Sequence, residues 1–123
     1  MKKIIYLSLS LLLLSCSEDT KEKLVVYQSP TCGCCDGWVD NMKTNGMNVE
    51  AIKTNDMYNT KANAGIDMSL SSCHTGFIGG YFIEGHVPFD AITKLLSERP
   101  DIKGITVPGM PAGSNVPGME TIN

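Results

Sequence analysis

The chain has 123 residues, 42% hydrophobic and 19% charged, which is the composition of an ordinary globular chain and length enough for one domain. A formal net charge of −3 and a pI near 5.2 argue against a protein that binds nucleic acid through bulk electrostatics. The five cysteines are more than packing asks of so small a chain, and Cys32, Cys34 and Cys35 fall together.

Residues 1–15 read as a lipoprotein signal peptide. Lys2 and Lys3 give a positive start, and Ile4 to Leu14 form an apolar run shorter than the roughly 20 residues of a spanning helix. Leu13-Leu14-Ser15-Cys16 resembles a lipobox. That resemblance implies cleavage before Cys16, lipidation of Cys16, and a lipidated tether over residues 16–23. Several acyl chains on one residue anchor stably, because each buried CH₂ contributes about 0.8 kcal/mol. The expected location is the bacterial cell envelope, with the lipid in the membrane and the domain facing the periplasm, where dithiols tend to oxidise.

The domain is expected over residues 24–123. Leu24 to Tyr27 is a short apolar run that suits a buried strand, and Ser29-Pro30-Thr31 breaks it. A helix is predicted from about Cys34 to Asn45, with Trp38, Val39 and Met42 on one face and Gly46 as its C′ residue. Met47 to Ile52 is a second strand. Asp56 caps a weak helix from Met57 to Ala64, followed by Gly65. Gly79-Gly80 between Gly76–Ile78 and Tyr81–Ile83 is a two-residue hairpin signal. Pro88 fits the first turn of a last helix that turns Phe89, Ile92, Leu95 and Leu96 inward, with Pro100 beyond it. The order β-α-β-α-β-β-α matches an α/β domain of thioredoxin-like or glutaredoxin-like type. Asp101 to Asn123 has no periodicity, but Val107-Pro108-Gly109-Met110 returns as Val116-Pro117-Gly118-Met119, which reads as an ordered tail with two matched bends. Met42, Met47, Met57 and Met68 read as packing.

The chemistry lies in the sulfurs. Cys32 and Cys35 form a C-x-x-C pair between the first strand and the first helix, where a helix N-terminus favours thiolate. Simple dithiol exchange has no use for Cys34 between them. In the predicted topology the third strand starts, and the fourth ends, at the rim carrying that loop. Cys32, Cys34, Cys35, Cys73, His74 and His86 would then meet there. Four thiolates can hold a soft metal. Zinc is disfavoured by the adjacency of Cys34 and Cys35, which bridge different ions more readily than they share one. Copper(I) takes thiolates and thioethers, and Met110 and Met119 would supply the latter. An iron–sulfur cluster is a further option. The plainer reading is two disulfides, for which adjacent Cys34 and Cys35 would need separate partners. His74 and His86 could instead serve only as buried hydrogen-bonding groups, and the tail methionines as turn packing.

Tyr27-Gln28-Ser29-Pro30-Thr31-Cys32-Gly33-Cys34-Cys35, Gly37-Trp38-Val39, Ser72-Cys73-His74-Thr75, Glu84-Gly85-His86-Val87-Pro88 and the two Pro-Gly-Met turns together resemble the CopG-like family of bacterial envelope copper-resistance proteins. The resemblance spans roughly Leu24 to Glu120. It implies a thioredoxin-like domain that binds a multinuclear copper cluster, chiefly Cu(I), with copper redox activity. It also implies ligation by Cys32, Cys34, Cys35 and Cys73, beside which the topology and the donor chemistry keep His74, His86 and Met110 as further candidates. The chain departs from that pattern at Gln28, where a Lys is expected, at Asp67, where a Pro is expected, and by an insertion at Asn115-Val116. Two functions are therefore expected in competition. One is an envelope protein that sequesters Cu(I), with copper ions and a redox or copper-transfer protein as partners and no nucleic acid. The other is a lipid-anchored thiol–disulfide oxidoreductase, with Cys32 attacking and Cys35 resolving.

Overall fold

A computed structural model of the chain describes residues 22–108. Cys16, Met110 and Met119 lie outside the described residues, as do the signal peptide, most of the tether and the Pro-Gly-Met tail. The elements run β1 (Lys23–Gln28), α1 (Gly33–Thr44), β2 (Asn48–Lys53), α2 (Met57–Asn63), β3 (His74–Ile78), β4 (Tyr81–Glu84), α3 (Phe89–Glu98) and β5 (Gly104–Thr106), with a 3-10 turn over Met68–Leu70. They form a mixed α/β fold with one five-stranded sheet in the order β2-β1-β3-β4-β5. β1 and β2 are parallel, β3 is antiparallel to both β1 and β4, and β5 is parallel to β4.

Local signals in the sequence act where they were read. Gly46 takes φ +91° behind α1, a conformation that L side chains rarely adopt. Asp56 accepts the backbone N–H of Asn59 at the start of α2. Gly79 and Gly80 both have positive φ, as a two-residue hairpin between β3 and β4 requires.

Side chains alternate along β1, so Leu24, Val26 and Gln28 share one face. On that face Leu24 and Val26 form a common core with Trp38, Val39 and Met42 of α1, Ile78, Tyr81 and Ile83 of the hairpin, Val87, and Ile92 and Leu95 of α3. Helices α1 and α3 thus cover one side of the sheet. From α2, Lys61 reaches Thr75 and Glu84, which alternation places on the opposite face.

Three expectations are corrected. Pro88 is the N-cap of α3, not its first turn, since its extended ψ of 147° precedes the helix. The segment after Pro100 contributes β5, three residues long, whose pairing with β4 comes from tertiary contact and leaves no periodic signal. Met68 is 56% exposed and therefore does not serve as core packing.

Candidate metal centre

The centre forms where three chain segments end at one sheet rim. Cys32 is the N-cap of α1 with extended backbone, and its N–H closes a turn onto the Ser29 carbonyl at 3.2 Å. Cys34 and Cys35 therefore lie in the first helical turn. Cys35 is fully buried and is joined to Cys32 in a disulfide with the Cα atoms 5.4 Å apart. Cys34 and Cys73 remain thiols. The rim thus holds one disulfide, within the C-x-x-C pair of the oxidoreductase reading, and two thiols, rather than four thiols or two disulfides. The C-x-x-C spacing closes within one helical turn and leaves Cys34 beside it, with its sulfur 3.5 Å from that of Cys32.

The antiparallel pairing sets His74 opposite Gln28 at the end of β1, so Cys73 arrives beside the cysteine loop. β4 returns to the same rim with Glu84 opposite Thr75, and the chain continues into Gly85 and His86. Two overlapping donor sets result. The sulfurs of Cys32, Cys34 and Cys35 lie within 4.8 Å of one another, and so do those of Cys34 and Cys73 with a ring nitrogen of His86. His74 belongs to neither set. Its ring is fully buried between Trp38, at 4.3 Å between centroids, and His86, at 5.1 Å. The two histidines thus differ in place: His86 faces the sulfurs and His74 packs behind it.

Both imidazoles are held neutral. Burial, then the proximity of His86 and of Lys61, lowers the pKa of His74 to about 3, against a weak pull from the Gly85 backbone. Burial also lowers that of His86. Among the described residues, none offers a well-formed hydrogen bond to either ring nitrogen of His86. A buried polar atom left so costs about 1–3 kcal/mol, and a neutral imidazole is the form that binds metal. The donor set therefore fits a soft cation: two thiols and one unpaired, uncharged ring nitrogen. At Cys34, burial first and then the adjoining Cys73 raise the thiol pKa, outweighing the helical N–H groups of Cys34 and Cys35 that lower it.

A buried polar network fastens the segment carrying Cys73. Lys61 pairs with Glu84, both almost wholly buried. Lys61 also donates to the Thr75 hydroxyl at 3.0 Å, and that hydroxyl donates to the second Glu84 oxygen at 2.7 Å. Glu84 further accepts the Ser72 backbone N–H at 2.8 Å. The network grips the residues on either side of Cys73 and His74. Gly85, at φ +78°, lets the strand ends approach: a Cβ there would stand 2.6 Å from the Val107 carbonyl and 2.7 Å from Ser72. The Trp38 indole N–H donates to the Val87 carbonyl at 2.9 Å, tying α1 to the segment that presents His86. At Gln28, the side-chain amide donates to Asp36, which also pairs with Lys53. Lys53 first, then Gln28, hold Asp36 below the usual carboxylate range.

Lys61 and Glu84 were not among the sequence candidates. Glu84 carries a weak signal, an acid ending an apolar strand beside Gly85-His86. Lys61 carries none, since one Lys in a polar helix looks like a solvated residue.

These features define a small α/β domain whose cysteine-rich rim suits soft metal ions. Two solved structures, titled copper resistance protein CopG in Form 2 and in Form 1, are each 44% identical to the chain. Their TM-scores are 0.75 and 0.73, with 83% and 82% of this chain covering 80% and 78% of theirs. The chain belongs to the CopG-like family of copper resistance proteins. A family described as "Protein of unknown function, DUF411" matches residues 70–119, which include Cys73, His74 and His86. Comparison with curated proteins gives no match.

Proposed function

We propose that this protein is a lipid-anchored envelope protein that holds Cu(I) in a cysteine-bridged multinuclear site and so sequesters copper. The carrying observation is the convergence of Cys32, Cys34, Cys35, Cys73 and His86 into two donor sets that share Cys34. A shared thiolate can bridge two ions, and soft sulfur donors select Cu(I). The copper-resistance titles of the two relatives support the same reading.

The domain is read as thioredoxin-like, since the C-x-x-C pair opens α1 directly after β1 and the β3–β4 hairpin packs under α3. Anchoring through lipid on Cys16, and ligation by Met110, complete the proposal. β5 ends beside β4, with the Val107 N–H on the Glu84 carbonyl at 3.0 Å, so the chain toward Met110 starts from the rim. In the bound state Cys32, Cys34, Cys35 and Cys73 act as thiolates, which requires the Cys32–Cys35 bond to be reduced. Closing that bond releases two electrons, enough to convert two Cu(II) to Cu(I), and this is the proposed redox step.

A second reading is favoured by the disulfide itself. Cys32 and Cys35 at the N-terminus of α1 are placed as in a thiol–disulfide oxidoreductase. Anaerobic Cu(I) titration of the reduced protein, followed by native mass spectrometry, separates the two. The copper reading expects several Cu(I) per chain. Uptake of a single zinc ion and no copper contradicts it.

A further inference from the structure

The geometry points to a second, smaller metal state of this rim: with Cys32 and Cys35 joined, Cys34, Cys73 and His86 form a complete Cys₂His site for one soft ion. This rests on the copper reading above and adds a redox control of capacity to it.

The two donor sets overlap only at Cys34. The disulfide takes two donors from the first set and none from the second. A disulfide sulfur is no thiolate, so the first set is reduced to Cys34 alone. The second set is assembled from three segments, α1, the approach to β3 and the turn after β4. Its imidazole is 1% exposed and faces the two sulfurs without a hydrogen-bond partner among the described residues. Two thiolates and an imidazole are a known donor combination for zinc, with a fourth position left open, and the sulfurs bias the set toward Cu(I).

The switch balances in electrons and atoms. Two thiolates become one disulfide with loss of two electrons, and two Cu(II) accept them and become two Cu(I). Ions held on Cys32 and Cys35 lose those ligands as the S–S bond closes. The ion on Cys34, Cys73 and His86 keeps all three. Closing the bond thus takes the rim from a dithiol form of high capacity to a disulfide form that retains one ion.

The test titrates Cu(I) anaerobically into the protein with Cys32–Cys35 closed, and separately into the reduced protein, against a competing chelator. Bound metal is read by native mass spectrometry, and thiol alkylation checks the disulfide afterwards. The closed form is expected to bind one Cu(I), and His86→Ala and Cys73→Ser are each expected to abolish it. A Cys32→Ser/Cys35→Ser double variant, which needs no disulfide, is expected to bind one ion as well, and it covers the case in which either single variant fails to fold. If the closed form and the double variant bind none, or if both single variants fold and still hold the ion, the inference falls. Multiple Cu(I) on the reduced protein in that case leaves the sequestration reading standing. A reduced protein that binds no more than one Cu(I) overturns the multinuclear reading instead.

Discussion

The backbone N–H of Ser72 donates to the buried carboxylate of Glu84 at 2.8 Å, and this bond fastens the residue before Cys73 to the end of β4. Glu84 in turn pairs with Lys61. The charge on Glu84 is therefore met inside the protein by Lys61 from α2, with hydrogen bonds from Ser72 and Thr75 beside it. Such a pair adds little net stability over an apolar one, but breaking it leaves a lone buried charge at a cost of about 3–5 kcal/mol. Lys61→Ala is expected to destabilise the metal-free protein by about that amount, measured by urea unfolding. Glu84→Gln, which keeps an acceptor for Ser72, is expected to lower copper stoichiometry less than Glu84→Ala. An unchanged unfolding midpoint in Lys61→Ala would show that the network does not hold the rim.

Gly85, just after β4, is crowded by Val107, just after β5, and by Ser72 of the Cys73 segment. Gly85→Ala meets both a positive φ and atoms at 2.6 and 2.7 Å. The expected loss is about 1–3 kcal/mol, the usual cost of a strained backbone position. Copper binding should weaken with it, because one of the two crowded neighbours is Ser72, the residue before Cys73. Thermal melts with and without Cu(I) check this. A melting temperature and copper count equal to those of the parent would rule the clash out.

His74 sets an acid limit. Its folded pKa of about 3 lies below the ordinary imidazole value of 6.5. Between those values the unfolded chain binds a proton that the folded chain refuses. Stability from this group is therefore fully present above about pH 6.5 and declines as pH falls toward 3, by up to about 1.4 kcal/mol per pH unit. The lowered pKa of His86 acts in the same direction. His74→Phe, which keeps a ring against Trp38, is expected to flatten this slope. Urea unfolding of the metal-free protein at pH 7 and pH 5 measures it, and equal slopes for variant and parent would contradict the assignment.

Much of the site was legible because its parts are local. The C-x-C-C loop, the Gly79-Gly80 turn and the period of α1 each lie within a few residues, and together they brought Cys73 and His86 to the right rim. What was not legible depends on distant pairing. β5 exists because β4 offers it an edge, and Lys61 is buried because Glu84 faces it from β4. The unequal placement of His74 and His86 follows from which ring meets Trp38, and spacing carries no such information. The Cys32–Cys35 bond was readable as a motif, but its coexistence with two thiols depends on where Cys73 comes to rest.

Cys34 separates the two functional readings. Cys34→Ser leaves Cys32 and Cys35 in place, so thiol–disulfide exchange should persist, while both metal donor sets lose their shared sulfur. Copper stoichiometry is expected to fall to at most one, and insulin-reduction activity, if present in the parent, to remain. Unchanged copper binding would refute the bridging role of Cys34.

Cys73 tests the central claim most directly, since it comes from a distant part of the chain and only the fold brings it to the cysteine loop. Metal held between two segments stabilises the folded state, because the unfolded chain offers no assembled site. The decisive measurement is Cu(I) stoichiometry and copper-induced rise in melting temperature for Cys73→Ser beside the parent, both reduced. The account predicts that both quantities fall together. A Cys73→Ser protein that binds as many Cu(I) ions with the same rise in melting temperature would contradict it, and would confine the site to Thr31–Cys35.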